Sequence, residues 1–340
     1  MRSSFVAMKG FANPHFQTTL PSLLNRHRNP RFIHRQFELD DGDFLDLAWS
    51  ALPAVDTRPI IILFHGLEGS VHSPYAFRMM ESLDRKGFNS VVMHFRGCFS
   101  EQNRLERAYH SGETGDGTAF IQHLAQAYPN RPLGAVGFSL GGNMLMKLQG
   151  ELGDRSPLFA AVSVSAPLRL EQAADHINSG SSRFYQWVLM ESLRANLLKK
   201  FERHDYEKII GLRKEDVPHL RNFWEYDDLF TGPIHGFQGA KDYYTRSSAQ
   251  QYIKHITKTT LIIHAKDDPF MPVSVLPDEE TLPANVSLEV SEHGGHVGFV
   301  SGTLLKPGYW LEERVPEFFH LNLTKGTSKC YKMPINQICL

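Results

Sequence analysis

Residues 137–141 read Gly-Phe-Ser-Leu-Gly, the G-x-S-x-G pattern in which a serine stands exposed on a sharp turn from strand to helix. The flanking glycines let the backbone pass close to itself there. Alone the pattern is weak, since chance supplies it in roughly one chain in ten of this glycine content. Its setting strengthens it: the apolar run LGAVGF precedes it and the helical stretch GNMLMKLQGEL follows. A serine hydroxyl is a poor nucleophile until a base takes its proton, so Ser139 calls for a histidine and an acid further along the chain. Two loops supply them. Lys266-Asp267-Asp268-Pro269 follows the run TLIIHA, and His293-Gly294-Gly295-His296 follows VSLEV. His296, with two glycines before it and Gly298 just after, is the expected base; His293 is its competitor. Only one of the adjacent acids can face the histidine. Asp268 is favoured because Asp268-Pro269 opens the turn towards Pro272, which leaves Asp267 as a turn former or hydrogen-bonding neighbour. An oxyanion needs donors as well. The expected ones are the backbone N–H of Leu140, next after the serine, and that of Leu67 in His65-Gly66-Leu67-Glu68-Gly69.

Other residues could support rival chemistry. His65, His94, His110 and Cys98 lie in or near the polar stretch HFRGCFSEQNRLERAYHSGETGD. No paired Cys/His ligand spacing and no H-E-x-x-H is present, so no metal and no cofactor are expected. This stretch is read as a loop that shapes the site, and Cys98 as structural. The three cysteines, Cys98, Cys330 and Cys339, fit no zinc pattern. They point to a reducing compartment, hence the cytoplasm, with no structural disulfide.

These residues must be held by elements that the apolar rhythm outlines. Phe32–Leu39 and Phe44–Trp49 alternate around Asp41-Gly42, as a β-hairpin does. Short apolar runs then alternate with amphipathic stretches: Ile60–Phe64, Ser90–Phe95, Leu133–Phe138, Phe159–Val164, Leu261–Ala265 and Val286–Val290. Near-continuous apolar strands between helices predict an α/β fold, a mostly parallel twisted sheet with helices on both faces. No strand is evident between about Leu170 and His235. The segment FYQWVLMESLRANLLKKF has helical spacing there and is either a lid over the site or a helix packed on the core. The expected organisation is a discontinuous core of residues 1–169 and 236–324, a helical insertion at 170–235, and a tail at 325–340 where periodicity is lost.

Lys and Arg number 36 against 37 Asp and Glu, so the chain has no charge footprint for nucleic acid or an anionic membrane. The first 36 residues hold six basic and no acidic side chains. That composition fits a transit peptide or a basic arm of the fold, and the arm is preferred. No apolar run reaches the ~20 residues needed to span a bilayer.

With these motifs in hand, the chain resembles the YheT-like esterases, the hydrolase-4 branch of the α/β-hydrolase superfamily. The resemblance runs nearly end to end: NPHFQTTLP, FHGLEGS, RGC then YHSGETGD, GFSLGGN, FQGAKDYY, AKDDPFMP and GGHVGF. It implies an α/β-hydrolase fold and hydrolysis of carboxylic esters, acylglycerols among them. The aromatic content of the insertion points to a small-molecule ester with an apolar acyl chain, and core packing accounts for that content equally well. The resemblance supports Asp268 over Asp267, because the family pattern allows Asn at the first acid, and it places the basic N-terminus within the fold. Acyl transfer by the same residues, or a non-catalytic binder on a hydrolase scaffold, are the alternatives.

Overall fold

The computed structural model describes residues 3–24, 31–99 and 101–330, with side chains as far as residue 323. The turn at Asp41-Gly42, with Gly42 at φ = 85°, joins β1 (Ile33–Glu38) to β2 (Phe44–Trp49) as an antiparallel pair. β2 in turn lies antiparallel to β4 (Asn89–Met93). From there every pairing is parallel: β4 with β3 (Ile60–Phe64), then β5 (Leu133–Phe138), β6 (Leu158–Val164), β7 (Thr259–Ala265) and β8 (Val286–Ser291). The order across the sheet is β1-β2-β4-β3-β5-β6-β7-β8.

Both faces of this sheet are covered, which explains the unbroken apolar runs. In β3, Ile60, Ile62 and Phe64 face one core, and Ile61 and Leu63 face the other, as the two-residue period of a strand requires. Helices α3 (Gly115–Ala127) and α4 (Leu140–Leu152) close the first core through Phe120, Ile121, Leu145 and Leu148. On the second face lie α2 (Pro74–Arg85) and α11 (Trp310–Cys330), through Met79, Leu83, Val315 and Phe319. Burying one such side chain stabilises the fold by about 1.5–3 kcal/mol.

Between β6 and β7 the chain forms no strand. It folds instead into α5 (Leu170–Ile177), α6 (Arg183–Lys200), α7 (Tyr206–Ile210), α8 (Phe223–Tyr226) and α9 (Gly232–Ile234), before α10 (Ala240–Ser247) returns to the sheet. These helices have a small core of their own, built on Met190, Leu193, Tyr206, Tyr226 and Phe230. At the start of the chain, α1 (Pro14–Leu24) packs Leu20 against Val300 of a short hairpin, β9 (Val300–Gly302) with β10 (Pro307–Tyr309).

At the ends of the chain one expected boundary changes. The N-terminal stretch forms an element of the fold, although Arg2, Arg26 and Arg28 lie outside the described residues. At the other end α11 continues to Cys330, past the boundary expected at 324. A helix once nucleated adds one backbone bond per residue and needs no apolar stripe to continue. The rest of that tail, residues 331–340 with Cys339, and the Cys330 side chain lie outside the described residues. Among those described, no helix is long and apolar enough to cross a membrane.

Candidate active site

Ser139 sits between β5 and α4 at φ = 52°, ψ = −120°. A non-glycine residue at positive φ costs of order 1–3 kcal/mol and must be held by its surroundings. Its N–H donates to the Val164 carbonyl at 2.8 Å, and its own carbonyl accepts from Gly142 and Asn143 at 2.9 and 3.1 Å. The two glycines of the motif are dictated by space. A Cβ on residue 137 would lie 2.3 Å from the Gly141 carbonyl oxygen, and one on residue 141 would lie 2.5 Å from the carbonyl oxygens of Phe64 and His65. Asn143, buried on α4, donates to the carbonyls of Ser111 and Ser247, both at 2.9 Å, and so ties the Ser111 loop and the end of α10 to the helix that starts at the serine.

The structure brings Ser139, His296 and Asp268 together. His296 Nε2 is 3.0 Å from Ser139 Oγ, and its Nδ1 is 2.8 Å from Asp268 Oδ2. With a carboxylate at Nδ1 the proton belongs there, which leaves the Nε2 lone pair facing the hydroxyl. Asp268 is buried, and its other oxygen accepts from the Phe270 N–H at 2.8 Å. Asp267 and His293 form a separate pair. Asp267 Oδ2 is 3.2 Å from His293 Nδ1, and its Oδ1 accepts from the Gly295 N–H at 2.9 Å. Burial pushes the Asp267 carboxyl above its ordinary value, while the His293 side chain is exposed.

Sequence reasoning missed what holds the histidine. The His296 N–H donates to Thr18 Oγ1 of α1 at 2.9 Å. Glycines are needed beside it because α1 presses on the loop: a Cβ on residue 298 would fall 1.9 Å from the Gln17 carbonyl oxygen, and one on residue 295 would fall 2.6 Å from that of Pro14. The imidazole also stacks on Phe270, with centroids 3.9 Å apart and planes 5° from parallel, and Tyr185 of α6 packs on Phe270 in turn. The glycines around His296 were the visible half of this contact. Thr18 lies 278 positions away.

The loop after β3 runs beside the serine, with a Cβ on residue 66 falling 3.2 Å from Ser139 Cβ. Within it the N–H groups of Gly66, Glu68 and Gly69 are taken by the Tyr75 hydroxyl, the Tyr109 hydroxyl and the Gly66 carbonyl. Among the described residues the Leu67 N–H has no such partner. Leu140 opens α4, where a backbone N–H has no carbonyl one turn earlier to donate to. Leu67, Leu140, Ser139 and His296 all line one cavity of ≈ 230 Å³. Its remaining wall is largely apolar and includes Leu189, Leu193 and Leu197 from α6. An alcohol nucleophile and a base for its proton, beside a largely apolar cavity that Leu67 and Leu140 also line, form a set suited to attack on an acyl carbonyl.

The other residues singled out in sequence brace this region. His65 Nε2 accepts from the Phe95 N–H at 3.1 Å and its Nδ1 donates to the Gly66 carbonyl at 2.7 Å; His94 joins the Val71 N–H to the Asp46 carbonyl, both at 3.0 Å. Burial holds their pKa values down to about 4 and about 3, so both stay neutral. Burial pushes the Cys98 thiol well up, which opposes a nucleophilic role. His110 meets Glu113 and His235 with ligand atoms within 4.8 Å of one another, a grouping the sequence does not announce because His235 comes from the insertion. It does not suit a metal. His110 Nδ1 accepts from the Gly112 N–H at 3.1 Å, so Nε2 carries the proton, and Glu113 is paired with Arg107.

The chain is also similar to known proteins. A family profile described as the alpha/beta hydrolase fold matches residues 59–303. The chain is 47% identical over 317 residues to the Escherichia coli (strain K12) protein named "Putative esterase YheT", covering 93% of each. It is 32% identical to the "Monoacylglycerol lipase" of Saccharomyces cerevisiae over 72% of this chain and 55% of that one. Among solved structures, the Pyrococcus furiosus esterase Pf2001 superposes with a TM-score of 0.57 at 18% identity, over 89% of this chain and 93% of that one, a likeness of fold.

Proposed function

The chain belongs to the α/β-hydrolase family, to its esterase and lipase type, and from that premise we propose that it is a serine carboxylic ester hydrolase. One observation carries the reading: Ser139 Oγ, His296 and Asp268 are hydrogen-bonded in series, at 3.0 and 2.8 Å, on the wall of an apolar cavity. In the proposed reaction His296 Nε2 takes the proton of Ser139 as Oγ attacks the ester carbonyl. The N–H groups of Leu67 and Leu140 stabilise the oxyanion. The tetrahedral adduct collapses, His296 protonates the departing alcohol, and an acyl group remains on Ser139. Water, deprotonated by His296, then attacks this acyl-enzyme and releases the acid. Asp268 orients the imidazole and offsets its positive charge. The sequence of steps uses water and the chain's own residues. The insertion at 170–235 serves as a cap whose α6 side chains receive an apolar acyl chain.

The test is hydrolysis of p-nitrophenyl esters of graded acyl length, followed by monoacylglycerol and phosphatidylcholine, by wild type and Ser139→Ala. Wild-type turnover with a loss of about 10³-fold or more in the variant is expected. Equal rates in the two proteins would remove Ser139 from the mechanism.

A further inference from the structure

The oxyanion loop is held by an arrangement that reaches from its backbone to the helical insertion. Glu68 adopts φ = 54° without being glycine, a conformation costing roughly 1–2 kcal/mol for an L-residue. Tyr109 compensates by closing a ring on it. The Tyr109 hydroxyl accepts from the Glu68 N–H and donates to Glu68 Oε1, both at 2.8 Å. The other carboxylate oxygen, Oε2, accepts from the side-chain amide of Asn196 on α6. On the far side of Leu67, the Gly66 N–H donates to the Tyr75 hydroxyl at 2.8 Å. Both N–H groups flanking that of Leu67 are therefore pinned by tyrosines, and the Leu67 N–H between them has no partner among the described residues.

We propose that Glu68, gripped by Tyr109 and by Asn196 of α6, is a positioning residue that aims the Leu67 N–H at the oxyanion and makes that aim depend on the seating of the cap helix. This rests on the ester-hydrolase reading above. Substrate contact by Glu68 is not required. Its side chain acts through the turn it fixes, and the Asn196 bond conveys the position of α6 to the donor. An acyl chain that packs against α6 would thereby also set the donor. The cavity receiving the chain and the oxyanion site act as one unit.

The experiment uses the full chain and p-nitrophenyl acetate, whose short acyl group barely engages the cavity, with Tyr109→Phe, Glu68→Ala and Asn196→Ala. Outright loss of an oxyanion donor costs about 10²–10³-fold in kcat. A misaimed one should cost about 10–100-fold in Tyr109→Phe and Glu68→Ala, and about 3–10-fold in Asn196→Ala, with KM held within about two-fold. Inhibition by phenylboronic acid, whose tetrahedral adduct on Ser139 places an oxygen at the oxyanion position, should weaken in proportion to kcat/KM. Glu68→Gln, which keeps both bonds only if the Tyr109 hydroxyl reverses or the Asn196 amide flips, should fall between wild type and Glu68→Ala. Unchanged kcat in folded variants overturns the proposal, as does a loss confined to KM or boronate affinity that stays at the wild-type value. Should Tyr109→Phe fail to fold, Asn196→Ala, altered on a helix surface, decides by the same readouts. The two readings fail separately: an active Ser139→Ala defeats the esterase assignment, whereas an inactive Ser139→Ala beside an unimpaired Tyr109→Phe defeats only the role of Glu68.

Discussion

Asp267 and Asp268 are neighbours in the chain yet face different histidines. Asp268 meets His296 at 2.8 Å, whereas Asp267 meets His293 at 3.2 Å and caps the Gly295 N–H. An amide in place of the Asp268 carboxylate would keep its oxygen on the Phe270 N–H and turn its NH2 towards Nδ1, so it would no longer hold Nδ1–H or offset an imidazolium. Asp268→Asn should therefore lower kcat by about 10³–10⁴-fold with the protein still folded. Asp267→Asn keeps an acceptor for the Gly295 N–H, so its kcat should stay within about ten-fold of wild type. Steady-state kinetics on one p-nitrophenyl ester separates the two; equal losses would contradict the division of roles. That Asp268 rather than Asp267 faces His296 was legible in the turn that Asp268-Pro269 opens. The pairing of Asp267 with His293 was not, since nothing in either sequence neighbourhood names its partner across 26 positions.

The six parallel strands, β3 to β8, were legible to within two residues, because a strand buried on both faces writes itself as an unbroken apolar run. Ile60–Phe64 and Leu133–Phe138 are β3 and β5 unchanged. Their order in the sheet was not legible. Whether β4 lies beside β3 or beyond it depends on pairings between distant segments. The same limit hid the role of α1, which packs on the histidine loop from the opposite end of the chain. A prediction follows from that packing. Gly298 faces the Gln17 carbonyl oxygen, which an added Cβ would approach to 1.9 Å. Gly298→Ala must therefore part α1 from the His296 loop. The central sheet does not depend on that contact, so the variant should still fold. Displacing His296 by as little as 1 Å should cost about 10²-fold in kcat. Amide exchange should quicken in residues 14–24, where α1 loses its seat. Wild-type kcat together with wild-type exchange over α1 would show that the helix does not hold the histidine.

At the scale of the whole molecule, burial of neutral histidines ties stability to pH. Burial lowers the pKa of His65 and His264 to about 4, of His94 and His110 to about 3, and of His235 to about 2. Between these values and the ordinary 6.5, the unfolded chain binds protons that the folded protein refuses. Stability therefore falls as pH drops through that window. Buried acids work against this. Burial raises Asp227 to about 6, and it also raises Glu68, Asp116, Asp267 and Glu312, so the folded state gains protons as the pH falls. Five large shifts at histidine outweigh one large shift at an acid, and net destabilisation below about pH 6 is expected. His264, on β7, isolates the effect. Both its ring nitrogens are buried without a hydrogen-bond partner among the described residues. Its charged neighbours divide, Asp268 favouring the protonated form and His296 opposing it, and desolvation prevails. A single histidine shifted this far costs about 2 kcal/mol between pH 8 and pH 5. His264→Leu removes that cost along with the unsatisfied nitrogens. In urea unfolding at the two pH values, the variant should lose about 2 kcal/mol less than wild type on acidification. Identical losses would mean that His264 takes up its proton in the folded protein as readily as in the unfolded chain, and that Asp268 rather than burial governs it.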